Sequence, residues 1–161
     1  MGDMVKVMAT GTFDLLHLGH IYYLKEAKRL GDTLVVVVAR DATVRKLKHE
    51  PVTPEEIRLH LIRELKIVDE AYLGHEDDMY AIVEELQPDV IALGYDQIHD
   101  EHILQQELKK RNIRAQIVRL PKYKGASDLN GTRRIIGKII AAYEFQKQIE
   151  RVESHEKDRD R

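Results

Sequence analysis

The sequence predicts an α/β protein with a five-stranded parallel sheet and helices on both faces. Strand-like and helix-like patterns alternate five times along the 161 residues, and no short hairpin turn joins two strand-like segments. This succession is typical of βα units, which build parallel sheets. The second strand-like run, Leu34–Ala39, is apolar at every position, as expected for a strand that is covered on both faces.

Five segments have the composition expected of strands. In chain order they are Met4–Ala9, Leu34–Ala39, Glu70–Leu73, Val90–Leu93 and Ala115–Leu120. Helical periodicity and capping residues predict six helices between and after these strands. They are His20–Leu30, Asp41–Leu47, Pro54–Leu65, Asp78–Leu86, Glu101–Arg111 and Asn130–Gln148. This order describes a single Rossmann-like, doubly wound domain in residues 1–148, with residues 149–161 as a charged tail.

Capping residues support the helix boundaries. Gly31 is suited to end the first helix. Thr53, Pro54 and Glu56 predict a strong helix start, with the threonine as N-cap, the proline at the first helical position and the glutamate three residues after the cap. Arg58 follows in the first turns of that helix, where its charge opposes the helix dipole. It is therefore either a functional cation or a surface arginine.

Composition excludes several classes of function. The net charge is −2. The chain has no cysteine, which rules out disulfides, thiolate metal sites and a cysteine nucleophile. No apolar run approaches the roughly 18 residues that span a bilayer, and no signal peptide is visible. We therefore expect a cytoplasmic protein that binds neither nucleic acid nor a membrane.

The turn between the first strand and the first helix has the features of a phosphate site. Free N–H groups and the helix dipole favour an anion at a helix N-terminus. Gly11 and Gly19 allow the backbone to turn and to approach a ligand. His17 and His20 add side-chain donors three residues apart. We expect both histidines to be catalytic.

Further candidate groups follow the later strands. Lys48 lies in a basic stretch after the second strand, where it could reach a phosphate. Asp96 and Gln97, after the fourth strand, could hydrogen-bond a ribose or a base, and Tyr123, after the fifth, could line a base pocket. Thr132 opens the last helix and predicts a second anion-binding helix terminus. All of them would meet at the carboxyl edge of the sheet.

These groups suit nucleotidyl transfer to a phosphomonoester. Such an acceptor is already mostly ionised near neutral pH, because its second pKa is about 6, so no general base is required. Catalysis then consists of positioning and of stabilising charge on the phosphates, which is the role we expect for His17 and His20. Mg²⁺ would be carried by the nucleotide phosphates, and no protein metal site is predicted.

Two segments of the first turn carry a family resemblance. Thr10–Asp14 reads Thr-Gly-Thr-Phe-Asp and His17–His20 reads His-Leu-Gly-His. Together they resemble the signature of the HxGH nucleotidyltransferases, the cytidylyl- and adenylyltransferase group. The signature stands at the first strand–helix junction, where that family carries it.

Within that group the chain is most similar to the archaeal FAD synthases. The segments that carry this likeness are Val38–Asp41, Gly94–Gln97 and Pro121–Lys124. The resemblance implies transfer of AMP from ATP to FMN, with FAD and pyrophosphate as products, a divalent cation, and a homodimer. The ATP site that it implies comprises Thr12, Phe13, His17, Leu18, Gly19, His20, Asp96 and Tyr123.

Two alternatives stay open at this point. Glycerol-3-phosphate cytidylyltransferases have the same signature but usually carry an Asp-Trp segment after the fourth strand, and this chain has no tryptophan. A non-catalytic nucleotide-binding sensor domain would keep the glycine-containing turn without needing paired histidines. The family's last motif also differs here, since Gly131 stands where a hydroxyl is common. An NAD dehydrogenase is a poor alternative, because the first turn lacks Gly-x-Gly-x-x-Gly.

Overall fold

The computed structural model describes residues 4–47, 49–125 and 129–159, and it has the predicted parallel sheet. Five strands pair in the order β3-β2-β1-β4-β5, all parallel. Their bounds are β1 Lys6–Gly11, β2 Thr33–Val38, β3 Glu70–Leu73, β4 Val90–Leu93 and β5 Gln116–Arg119. The predicted α/β, Rossmann-like fold class is confirmed.

Helices cover both faces of this sheet, as the apolar strands require. Their bounds are α1 Leu18–Lys28, α2 Asp41–Leu47, α3 Glu55–Arg63, α4 Ala81–Leu86, α5 Glu101–Lys110 and α6 Thr132–Arg159. One core cluster joins α1 and α3 to alternate residues of β1 such as Val7 and Ala9. The other joins α4 and α5 to Met8, which points to the opposite face. The sheet is therefore the middle layer of three.

The strand order creates a crevice where β1 meets β4. The chain builds β1, β2 and β3 towards one edge and then crosses over to place β4 and β5 on the other side of β1. Loops leaving β1 and β4 therefore diverge at their carboxyl ends. This is the topological switch point at which ligands bind in open α/β sheets.

Most predicted boundaries lie within two residues of the observed ones, and three helix ends show a physical reason or a larger difference. Thr53 is not an N-cap: α3 starts at Glu55 after Pro54 without a side-chain cap, because the Thr53 hydroxyl donates to Asp14 Oδ1 at 2.7 Å instead. The fourth helix begins at Ala81, since the Asp78 carboxylate closes a turn on the Tyr80 N–H. The last helix does not end near Gln148 but continues to Arg159.

No helix in the described ranges combines the length and the apolar composition that a bilayer span requires.

A buried arginine ties together the loops at the carboxyl ends of β1 and β2. Arg58 is 0% exposed, so it is not a surface arginine. Its guanidinium donates to the carbonyl oxygens of Thr53 at 2.9 Å, Thr12 at 2.7 Å and Ala39 at 2.9 Å. It also forms an ion pair of 2.5 Å with Asp41. With its donors engaged inside the protein, Arg58 shapes the site instead of binding substrate.

We predict that replacing Arg58 with Met lowers the free energy of unfolding by about 3–5 kcal/mol, because it breaks a buried ion pair and leaves buried acceptors without their donor. Urea unfolding measures this loss. Arg29→Met is the matched control: the Arg29 side chain is 73% exposed and pairs with Glu26 at the surface, so its loss should stay within about 1 kcal/mol. Equal losses in the two variants would contradict a structural role for Arg58.

Candidate active site

The loop that follows β1 is strained. Phe13 has φ 55° and Leu15 has φ 49°, in the left-handed region that non-glycine residues rarely occupy. Such residues cost roughly 1–3 kcal/mol each and persist only where the surroundings hold them. The sequence suggested Gly11 as the residue that turns the chain, but Gly11 has no positive φ. Phe13 and Leu15 make the turn, so contacts from the rest of the fold must stabilise their backbone conformation.

The Asp14 carboxylate stabilises this loop through hydrogen bonds. Its side chain is 3% exposed, and it accepts hydrogen bonds from the N–H of Val52 at 2.6 Å and from the N–H of Thr53 at 3.0 Å. Burial by itself would raise the pKa of Asp14, but these bonds, that of the Thr53 hydroxyl, and the charge of Arg58 outweigh it and hold the pKa below the ordinary 3.8. An ionised Asp14 therefore anchors the strained loop to the segment before α3.

The first histidine of the pair caps the helix that carries the second. His17 is the N-cap of α1, with extended backbone angles, and its Nδ1 accepts from the N–H of His20 at 3.4 Å. A ring that accepts at Nδ1 carries its proton on Nε2 when it is neutral. The Nε2–H group is thus left to donate to a ligand. The two imidazole rings stack, with centroids 3.7 Å apart and planes 23° apart.

His17 remains neutral near pH 7. Burial lowers the pKa of His17 below its ordinary 6.5, and this outweighs the charge of Asp96, which acts in the opposite direction. The electrostatic effect also shows that Asp96, an exposed residue after β4, lies close to His17. The predicted neighbours from the first and fourth strand ends are therefore brought together.

Phe13 packs against His20, and Tyr23 packs against Phe13. The Phe13 ring meets His20 edge-on, with centroids 5.4 Å apart, and stacks on Tyr23 at 6.3 Å. Phe13 is 2% exposed, so it is a wall behind His20 and offers little surface to a nucleotide. The Tyr23 hydroxyl donates to the Ala92 carbonyl at 2.8 Å and accepts from the Thr10 N–H at 3.1 Å. It thereby joins the ends of β1 and β4 beneath the site.

The start of α6 packs directly against this loop. The Thr132 hydroxyl donates to the Asp14 carbonyl at 2.7 Å, and this bond joins the start of α6 to the loop after β1. A Cβ at Gly19 would lie 2.6 Å from the Asn130 carbonyl oxygen, which means that only glycine permits the contact. Two helix N-termini, those of α1 and α6, are thereby brought side by side.

An open hollow of about 460 Å³ lies between the beginnings of these two helices. Its lining residues are Leu16, His17, Leu18, Ile21, Leu129 and Ile135. His17 is the polar member of an otherwise apolar wall. His17 thus borders open space beside the start of the final helix.

The loops after β4 and β5 complete the rim. Gln97 donates to the Thr10 carbonyl at 2.6 Å and accepts from the Gly94 N–H at 3.1 Å. Its amide therefore braces β4 against β1. Arg119, at the end of β5, donates to the carbonyls of Gly94, Gln97 and His99 at 2.7–3.0 Å. Tyr123 lies against Tyr22 of α1, with ring centroids 5.2 Å apart.

Most of the predicted site residues come together at one edge of the sheet. Thr12, Leu18, Gly19, His17 and His20 occupy the β1–α1 junction. Asp96 lies beside that junction, and Thr132 contacts it from α6. Lys48 lies outside the described residues.

The supporting roles of three residues were not predicted from the sequence. Asp14 accepts from the Val52 N–H, Arg58 donates to the Thr12 carbonyl, and Tyr23 donates to the Ala92 carbonyl. Tyr23 had one available signal: it lies three residues after His20, on the same face of the helix. No local signal distinguishes a buried Arg58 from an exposed one.

Comparisons with known proteins agree with this geometry. The sequence model of the cytidylyltransferase-like family matches residues 8–153. The FAD synthase of Aciduliprofundum boonei is 59% identical over 137 residues, which cover 85% of this chain and 91% of the relative. The FAD synthase of Thermoplasma volcanium is 56% identical over 137 residues, covering 85% and 95%. A crystal structure described as the lipopolysaccharide core biosynthesis protein from T. volcanium GSS1 has a TM-score of 0.75 at 58% identity, over 76% of this chain and 100% of that one.

We predict that Gly19→Ala separates the two helix starts, because its methyl group would collide with the Asn130 carbonyl. Overpacking of this kind costs about 1–3 kcal/mol, so the melting temperature should fall and pyrophosphate binding, measured by calorimetry, should weaken. Gly137→Ala is the matched control, since a Cβ there meets nothing within 4 Å and alanine favours the helix. Similar behaviour of the two variants would show that the helix contact is not close enough to matter.

We also predict a stability loss in acid that depends on Asp14. The pKa of Asp14 is lower in the folded than in the unfolded state, so its ionised form contributes stability that is fully present above pH 3.8 and is lost as the pH falls through the folded pKa. Asp14→Asn should be less stable than wild type at pH 7 and should lose less on acidification, as followed by urea unfolding between pH 7 and pH 2.5. The exposed Asp77→Asn should keep the wild-type pH dependence; a wild-type profile in Asp14→Asn would refute the assignment.

Proposed function

The chain belongs to the cytidylyltransferase-like family, and from that premise we infer that it is an FMN adenylyltransferase. It moves AMP from ATP to FMN and releases pyrophosphate, so that the product is FAD. The observation that carries this inference is the 59% identity to an FAD synthase over 137 residues. The family match over residues 8–153 includes the stacked histidines at the start of α1. The cytidylyltransferase and sensor alternatives are not favoured.

The chemistry follows from the groups at the junction. An oxygen of the FMN phosphate, ionised because its second pKa is about 6, attacks the α-phosphorus of ATP. A new P–O bond forms there as the bond from the α-phosphorus to the bridging oxygen of the β-phosphate breaks, and pyrophosphate leaves with both electrons. No proton must be removed, so the site needs donors and not a base.

We assign those donors to the histidine pair. The Nε2–H of neutral His17 and the side chain of His20 stabilise charge on the transferred and departing phosphates. The first turn of α1 adds backbone N–H groups and the positive end of its dipole. Support for this comes from the tautomer that the His17 N-cap favours.

The remaining contacts with ATP are assigned by position. Thr12, Leu18 and Gly19 would meet the phosphates and ribose through their backbone, with Phe13 behind them as support for His20. Asp96 would meet the ribose and Tyr123 the base. Thr132 would offer its backbone N–H at the start of α6, and Lys48 would approach the leaving pyrophosphate.

A divalent cation, most simply Mg²⁺, would enter with the ATP phosphates. Mg²⁺ keeps several waters and needs only one or two protein carboxylates when phosphates supply the other ligands. The described ranges contain no group of three or more histidine, cysteine, aspartate or glutamate residues that could hold a metal.

We propose a homodimer and a cytoplasmic location. Apolar side chains on α6 support association, because Ile139, Ile140 and Tyr143 are 60%, 51% and 60% exposed, and exposed apolar patches of this kind mark interaction surfaces. One catalytic domain over residues 1–148 is also proposed, with the charged residues 149–161 extending α6 beyond it.

The substrate assignment predicts which mixtures release pyrophosphate. ATP with FMN and Mg²⁺ should release it and form FAD, and CTP with glycerol 3-phosphate should not. A coupled assay for pyrophosphate together with chromatography of the flavin products measures both. Release with CTP and glycerol 3-phosphate alone would favour the cytidylyltransferase alternative, and nucleotide binding without any release would favour the sensor.

The histidine assignment predicts a selective loss of rate. His17→Ala and His20→Ala should each lower kcat by roughly a hundred- to a thousand-fold with a smaller change in KM, measured in the same assay. His60→Ala is a suitable control, because His60 is exposed on α3. An unchanged kcat in either site variant would remove that histidine from the chemistry.

A further inference from the structure

The loop after β5 carries Tyr123, whose ring contacts Tyr22 of α1 and the backbone at Gly125. We propose that Tyr22 and Gly125 are positioning residues for the adenine of ATP and that they act through Tyr123. This rests on the proposed function, in which Tyr123 meets the base. It adds two residues that neither the signature nor the predicted ATP site includes.

Tyr22 supports the ring from α1. The centroids of Tyr22 and Tyr123 are 5.2 Å apart and their planes are inclined by 45°, within the range of favourable aromatic pairs. Both residues are half-buried, so part of each ring remains exposed to solvent. Tyr22 also lies only two residues after His20, which means that one turn of α1 holds both the phosphate-binding histidine and the support for Tyr123.

Gly125 supports the ring from its own loop. A Cβ at this position would lie 2.1 Å from Cζ and from the hydroxyl oxygen of Tyr123, so the ring lies directly on the glycine backbone. No side chain fits there while the ring keeps this position. The Tyr123 ring therefore contacts both a tyrosine of α1 and the backbone of its own loop.

A second contact fixes the same loop to the β4 side of the site. The Lys122 ammonium lies 5.3 Å from the centre of the Tyr95 ring, within the range of cation–π interaction. Tyr95 directly precedes Asp96, whose charge acts on His17. The Lys122–Tyr95 contact thus links the loops after β4 and β5, and the Tyr123–Tyr22 contact links the second of these loops to α1. In the proposed function, a base attached to a ribose near Asp96 would lie beside Tyr123.

The chemistry of this wall suits a flat purine. Stacking of a base on an aromatic side chain is tolerant of sequence but depends on the ring being in place. A ring that is already oriented loses less conformational freedom when the base binds. Removal of either support should therefore weaken ATP binding nearly as much as removal of Tyr123, while the phosphate chemistry at the histidines continues.

The test combines single variants with a double-mutant cycle. Tyr22→Ala, Gly125→Ala and Tyr123→Ala should each weaken ATP binding about tenfold in calorimetry and raise the KM for ATP similarly, with kcat and the KM for FMN within about twofold of wild type. Tyr22→Phe, which keeps the ring, should behave as wild type. Tyr22→Ala combined with Tyr123→Ala should be no weaker than Tyr123→Ala alone, because coupled residues are not additive.

Tyr72→Ala, which removes an exposed tyrosine on the edge strand β3, is the control, and melting temperatures establish that each variant is folded. Should Tyr22→Ala be misfolded, Gly125→Ala tests the same ring by displacing it. The inference would be overturned if the double variant lost ATP affinity by the product of the two single losses. A fall in kcat without a change in ATP binding would overturn it as well. Unchanged ATP binding in Tyr123→Ala would overturn it too, even if the wild type makes FAD; a wild type that binds ATP but makes no FAD would refute the proposed function alone.

Discussion

The site depends on one constraint, the strained backbone of the loop after β1. Phe13 and Leu15 adopt left-handed angles that local preference opposes, so buried ionic groups must hold the loop. The Arg58 guanidinium binds the Thr12 carbonyl at 2.7 Å on one side, and the Asp14 carboxylate is bound by the segment before α3 on the other. Together they fix where α1 begins, and the direction of α1 fixes where its histidines lie.

The position of His17 at the start of α1 determines its tautomer and its protonation state. An N-cap histidine that accepts a backbone N–H at Nδ1 has Nε2 left as a donor, and burial keeps its pKa low enough for the ring to be neutral. Neutral donors and helix N-termini are suited to stabilising phosphate charge that changes during transfer, since they need no proton movement of their own. The fold thus accounts for why this reaction proceeds without an evident general base.

Sequence reasoning succeeded where signals are local and failed where they are not. Alternating patterns predicted the sheet and helix order, and the contiguous motif placed His17 and His20 at the junction of β1 and α1, where their rings stack. Thr53 had every feature of an N-cap, yet its hydroxyl binds Asp14, which lies 39 residues earlier. Gln97 likewise braces Thr10 from 87 residues away. Side chains with several possible partners choose among them only once distant segments have met.

The sequence by itself determined the fold class, the family signature and the edge of the sheet at which the site lies, because apolar periodicity and contiguous motifs are properties of short segments. Only the tertiary structure decided that Arg58 is an internal support, that Phe13 is a wall behind His20, and that Tyr123 contacts Tyr22 and the backbone at Gly125. Each of these roles depends on burial and on contacts between separate strands and helices. Such contacts arise from how the segments pack, and no single segment encodes them.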